Sequence, residues 1–124
     1  MDVSDFIRMT YLRGFFGFSG RINRAQYALV MLVGYVGSIL VFWLAWPQLR
    51  TMGDLGAVLG VMNLAVMVWI LFASMVKRFH DLNQSGLASL RICIPVIGIY
   101  TPLSLFFIPG NASNNDYGSP PDRF

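Results

Sequence analysis

The sequence predicts an all-α integral membrane protein: three transmembrane helices, the third kinked by proline and glycine, preceded by a short interfacial helix. Three observations predict it. Hydrophobic residues make up 56% of the 124-residue chain and charged residues 12%, about half of the ~25% charged share usual in soluble domains. A single domain of this length cannot bury so much apolar surface in its own core. The apolar residues also fall into three runs of membrane-spanning length, and the cations collect beside those runs.

The first stretch, residues 1–18, repeats Phe6, Ile7, Thr10 and Tyr11 at helical spacing, with Arg8 and Arg13 on another side. That pattern suits a helix lying in the interface with its arginines among headgroups. Gly14, Gly17 and Gly20 interrupt it. Arg21 and Arg24 then form a basic collar one helical turn apart. Residues 27–46 follow without a charge, opened by Tyr27, closed by Trp43 and Trp46 and expected to stop at Pro47. Twenty residues at 1.5 Å each cross a hydrocarbon core of roughly 30 Å, and aromatics at both ends are the expected interface anchors.

A short polar turn holds Arg50, Gly53 and Asp54 before a second uncharged run, residues 56–76. This second helix continues into Lys77 and Arg78, whose long stems reach back to the surface, and the turn residues from Asn83 to Gly86 end it. The third run, residues 87–108, carries Pro95, Gly98 and Pro102 in its middle. It reads as one kinked span or as a re-entrant hairpin with Ile94–Gly98 at its tip. Irregular backbone at membrane depth needs protein or water to cover it, and two neighbouring helices offer little, so the kinked span is favoured. The polar tail, residues 109–124, is rich in Gly, Pro, Asn and Ser and is expected to be extended or disordered.

Charge and cysteine usage exclude some classes. Nine Lys and Arg stand against six acids, all aspartate, for a net charge of +3. Because the cations border apolar runs, the expected partners are the bilayer and anionic lipid headgroups, with no nucleic acid. Lys and Arg counting places the N-terminus and residues 77–86 in the cytoplasm and the Arg50 loop outside. Cys93, the one cysteine, lies in an apolar run and cannot form an internal disulfide. No secretory signal is expected, since the first apolar run is longer than a signal core.

Residues 77–86 are the dense polar stretch between the second and third runs, containing Lys77, Arg78, His80, Asp81, Ser85 and Gly86. Asp81 can pair with Lys77 or Arg78 on its own helix for a few tenths of a kcal/mol. The more consequential pairing is with Arg21 or Arg24, which would lock the first helix to the second. His80 beside Asp81 has the look of a metal or acid–base fragment. Zinc needs three or four ligands, and the chain has one histidine, one cysteine and no glutamate, so no metal and no cofactor is expected. In the second run Gly56, Gly60 and Asn63 share a stripe suited to close helix packing, with Asn63 expected to act as interhelical glue. The sequon Asn111-Ala112-Ser113 is too common a pattern to carry weight.

Three motifs in order resemble a bacterial inner-membrane family, domain of unknown function 805. Gly20, Arg21, Arg24 and Tyr27 match its G-R-x-x-R-x-x-Y collar. Residues 77–86 match its R-R-x-H-D-x-x-x-S-G loop, with Lys77 in place of the first arginine. Pro109, Gly110, Asn115, Tyr117 and Gly118 match its tail, with Asn111 and Ser113 replacing a threonine and a glycine. The resemblance covers nearly the whole chain and implies a small multi-pass inner-membrane protein. It implies no reaction and no ligand.

The expected role is structural or regulatory and non-enzymatic, centred on Arg21, Arg24, Lys77, Arg78, His80 and Asp81 at the cytoplasmic surface. A homo-oligomer or another membrane protein is the expected protein partner. The rival classes are an oligomeric transport or channel subunit, with Asn63, Ser74 and the broken third run along a path, and a lipid-headgroup enzyme using His80 and Asp81.

Overall fold

A computed structural model describes residues 17–121. The expected interfacial helix around Phe6, Ile7, Thr10 and Tyr11 lies outside the described residues. Every regular element among those described is helical. Helix α1 runs Arg24–Thr51 and helix α2 runs Asp54–Asp81, each 28 residues, or about 42 Å at 1.5 Å per residue.

Helix α1 begins at a reciprocal cap. Asn23 Oδ1 accepts from the Gln26 amide at 2.7 Å and Gln26 Oε1 accepts from the Asn23 amide at 3.0 Å, satisfying two of the donors that a helix start leaves open. The helix loosens into a π-helical turn at Leu32–Val36 and then continues through Pro47 to Thr51. Proline deletes one rung of the ladder, and the rungs on either side carry the helix one further turn than expected. The chain then reverses over Met52 and Gly53.

The reversal presses α2 onto α1 at Gly56. A Cβ there would overlap the Leu49 backbone, whereas one at Gly60 would sit 3.4 Å from the Phe42 ring and one at Gly37 would meet nothing. Gly56→Ala is therefore expected to lower the melting temperature in detergent, with a cost of about 1–3 kcal/mol for an overpacked contact. Gly37→Ala should not, and thermal melts of the two variants check it.

Helix α2 ends as its sequence predicts. Asn83 takes a left-handed conformation with φ 55°, the Gln84 amide donates to the Phe79 carbonyl at 2.9 Å and the Asn83 amide to the His80 carbonyl at 3.0 Å. This paired arrangement closes off the last carbonyls of a helix.

The third apolar run does not form one kinked helix. It divides into a 3-10 segment, Gly86–Cys93, and a short helix α3, Ile97–Ser104, with a turn at Pro95 and Val96. Eight residues rise about 16 Å in a 3-10 segment and about 12 Å in an α-helix, each well short of a 30 Å core. The run also ends where it began: the chain leaves α2 at Leu82, and the Asn111 amide donates to the Asp81 carbonyl at 2.9 Å. Its carbonyls are taken up by side chains of α1 and α2. The Tyr27 hydroxyl donates to the Pro102 carbonyl at 3.1 Å and Arg78 Nε to the Leu105 carbonyl at 3.1 Å. Those bonds are the cover that two neighbouring helices were not expected to provide.

The packed core sits at this end of the molecule, formed by Ile22, Tyr27, Met31, Met75, Phe79 and Leu105. Elsewhere α1 and α2 expose their apolar side chains. Only 17% and 11% of their most apolar windows are buried, the reverse of a soluble protein's core helix and the condition of a helix solvated by lipid.

Candidate functional site

The three motifs converge at the end of the molecule where α1 begins and α2 finishes. At the centre is Asp81, 2% exposed. Arg21 Nε and Nη2 both donate to Asp81 Oδ1, at 3.1 and 2.9 Å. Arg78 Nη1 donates to the other oxygen, Oδ2. The carboxylate thus joins the collar before α1 to the last turn of α2. Of the two collar arginines it takes Arg21 and leaves Arg24 exposed.

Two arginines against one aspartate leave a net positive charge out of contact with water. Backbone carbonyls absorb it. Arg21 donates to the carbonyls of Asn111 at 2.6 Å, Ser113 at 3.0 Å and Gly118 at 3.0 Å. Arg78 donates to those of Leu105 at 3.1 Å, Ile22 at 3.4 Å and Ile108. A guanidinium offers five N–H donors in a planar fork, and both forks are spent on the chain itself. A buried ion pair is tolerable only when its remaining donors find partners in this way.

The described part of the tail is docked, not extended. Asn115 and Gly118 bond each other reciprocally, both at 3.1 Å, around a turn that Gly118 permits with φ 117°. Asn115 Nδ2 donates to the His80 carbonyl at 2.9 Å, the Asp116 amide donates to Asn83 Oδ1 at 3.2 Å and the Tyr117 ring stacks on His80 at 4.0 Å and 6°. His80 Nδ1 lies 3.0 Å from the Gly20 carbonyl. The histidine is therefore a bracket between the collar and the tail.

Gly110 is where the tail passes the carboxylate. An added Cβ would collide with Asp81 and stand 3.0 Å from Arg78 Nη1. Gly110→Ala is expected to cost about 1–3 kcal/mol by overpacking, seen as a lower melting temperature and faster proteolysis of the tail.

The remaining motif residues play local parts. Tyr27 is fully buried, its ring 4.9 Å from that of Phe106. Lys77 is buried. Ser85 caps the 3-10 segment, its hydroxyl accepting from the Leu87 amide at 3.3 Å, and Gly86 packs under Val76 and His80. Pro109 and Gly110 line a cavity of about 500 Å³ with Arg24, Asn111, Pro120 and Pro121. Among the described residues no group of three His, Cys, Asp or Glu could hold a metal.

Two features escaped the sequence reading. The Asn23–Gln26 cap was legible in the N-x-x-Q spacing. The binding of carbonyls by Arg78 had no local signal, because its partners lie 27 to 56 residues away.

Two long helices with exposed apolar side chains and a polar cap locked around one aspartate are the features of a small helical membrane protein. The chain belongs to the family described as "Protein of unknown function (DUF805)", which it matches over residues 15–119. It is similar to inner membrane protein YhaI of Escherichia coli (strain K12), 31% identical over 119 residues, 91% of this chain and 92% of that protein. It is also similar to inner membrane protein YhaH of the same strain, 28% identical over 114 residues, 89% of this chain and 91% of that one. No solved structure matches it.

Proposed function

We propose that this protein is a non-enzymatic structural or regulatory component of the bacterial inner membrane, presenting a pre-ordered polar cap at the cytoplasmic surface. One observation carries the reading: the acid and the histidine that could serve catalysis are both committed to holding the chain together. Asp81 is shared between Arg21 and Arg78, and His80 is held between Gly20 and Tyr117. The names of the similar inner membrane proteins support the location.

The topology proposed is two spans, α1 and α2, with the third run folding back to the side from which it came. Arg21, Arg24, Lys77 and Arg78 gather at one end of the helical pair and Arg50 at the other, so the positive-inside tendency puts the cap, the N-terminus and the tail in the cytoplasm. On a Cys93→Ser background, Gln84→Cys and Ser119→Cys should both be protected from an impermeant thiol reagent in intact cells, and Gln48→Cys should label. Labelling of Ser119→Cys from outside would restore the third span.

The surface contact proposed is an anionic lipid headgroup at Arg24. Arg21 and Arg78 face inward, which leaves Arg24 as the exposed cation beside the 500 Å³ cavity. One cation near an anionic leaflet contributes roughly 1 kcal/mol. Arg24→Gln is therefore expected to weaken retention of anionic phospholipid about five-fold in native mass spectrometry without lowering the melting temperature. Undiminished retention would count against this contact. A protein co-purifying in place of lipid would redirect the reading to a partner surface.

A further inference from the structure

Asn63 is a polar side chain on an apolar helix that the fold leaves without a role. It lies in α2 about 13 Å along the axis from Asp54 and about 21 Å from Lys77, at 1.5 Å per residue, which places it inside the hydrocarbon. Its amide makes no hydrogen bond among the described residues, in contrast to Ser74 on the same helix, whose hydroxyl is satisfied by the Ile70 carbonyl. Asn63 was expected to bind α1. It opens instead into a groove of about 560 Å³ lined by Ile39, Phe42 and Trp46 of α1 and by Gly60 and Met67 of α2, with Arg50, in the last turn of α1, as the groove's one charged residue.

An acyl chain can fill such a groove but cannot satisfy an amide, and an unsatisfied polar group in hydrocarbon costs several kcal/mol. The occupant must therefore bring a donor and an acceptor to this depth. A carboxamide has both, so Asn63 is complementary to itself. A two-fold axis beside the groove sets the same patch against its copy and satisfies both amides with no second sequence required. We infer that two copies of this chain associate through the α1–α2 groove, with their Asn63 amides hydrogen-bonded across a two-fold axis. The groove supplies apolar contact on either side of the pair, and polar side chains between apolar helices commonly act in this way. The inference is independent of the cytoplasmic cap.

The test uses the full chain with Cys93→Ser in native membranes. Asn63→Cys is expected to give a disulfide-linked dimer on mild oxidation. Met62→Cys, one residue away, exposed and outside the groove's lining, is not. In phosphatidylethanolamine and phosphatidylglycerol vesicles, single-molecule photobleaching should show Asn63→Leu weakening dimerisation about five-fold, with Asn63→Gln retaining it. The proposal is overturned by a wild type that is monomeric at all densities, by an Asn63→Leu variant that dimerises like wild type, or by equal cross-linking at both cysteine positions. The cross-linking pair decides the matter even if Asn63→Leu fails to fold. A cross-link of Asn63→Cys to a different membrane protein would also overturn the self-association.

Discussion

Asp81→Asn is expected to destabilise the protein by about 3–5 kcal/mol, the range seen when one partner of a buried ion pair is removed. The substitution keeps the shape of the side chain and removes only its charge. It leaves the guanidinium groups of Arg21 and Arg78 buried side by side, with an amide nitrogen presented to donors that cannot accept from it. Arg21 also holds the carbonyls of Asn111, Ser113 and Gly118, so the tail should loosen along with the helix pair. Thermal melts in detergent and limited proteolysis near Ser119 would register the two effects together. A variant as stable as wild type, with its tail still protected, would mean that the carboxylate is not what holds the cap.

Arg78→Lys is expected to cost about 3 kcal/mol although it preserves charge. Lysine carries a point charge on a flexible stem and cannot reproduce the planar fork. Here the fork spans Asp81 and the carbonyls of Ile22, Leu105 and Ile108. Each buried acceptor left open costs on the order of 1–3 kcal/mol, and two of these carbonyls belong to the folded-back third run. The variant should therefore unfold at lower temperature and expose residues 105–111 to hydrogen exchange ahead of the rest. Arg24→Lys, at an exposed position, should change stability by no more than about 0.5 kcal/mol.

The membrane character of the fold was open to reading because it rests on local pattern. Long uncharged runs and flanking cations are visible without knowing what touches what, and so was the end of α2, where Asn83 and the polar residues after it mark a stop. The third run was not legible in the same way. Pro95, Gly98 and Pro102 announce an interruption, but whether the chain bends or turns back depends on who receives the freed carbonyls. The answer lies in Tyr27 and Arg78, one 75 residues away from its acceptor Pro102 and the other on the preceding helix.

The site divides along the same line. Motif spacing singled out residues that the fold brings together, and the possible pairing of Asp81 with the collar could be stated from one chain. The inward turn of both arginines could not, because it depends on distant carbonyls: those of the tail, about 90 residues from Arg21, and those of Ile22, Leu105 and Ile108 for Arg78. The tail itself looked unstructured for a physical reason. Gly, Asn, Ser and Pro bury no apolar surface, and they order here by backbone hydrogen bonds to a buried guanidinium and by one ring stacked on His80.

The central claim is that Asp81 couples the collar before α1 to the end of α2. The most direct test is a double-mutant cycle between Arg21→Gln and Asp81→Asn, read as unfolding free energy in mixed micelles. Groups in direct contact within a buried network couple by about 0.5–3 kcal/mol, and a doubly hydrogen-bonded buried pair is expected in the upper half of that range. The same cycle with Arg24→Gln in place of Arg21→Gln should be additive. Additivity between Arg21 and Asp81 to within about 0.5 kcal/mol would contradict the account, since the two helices would then be held together without the lock.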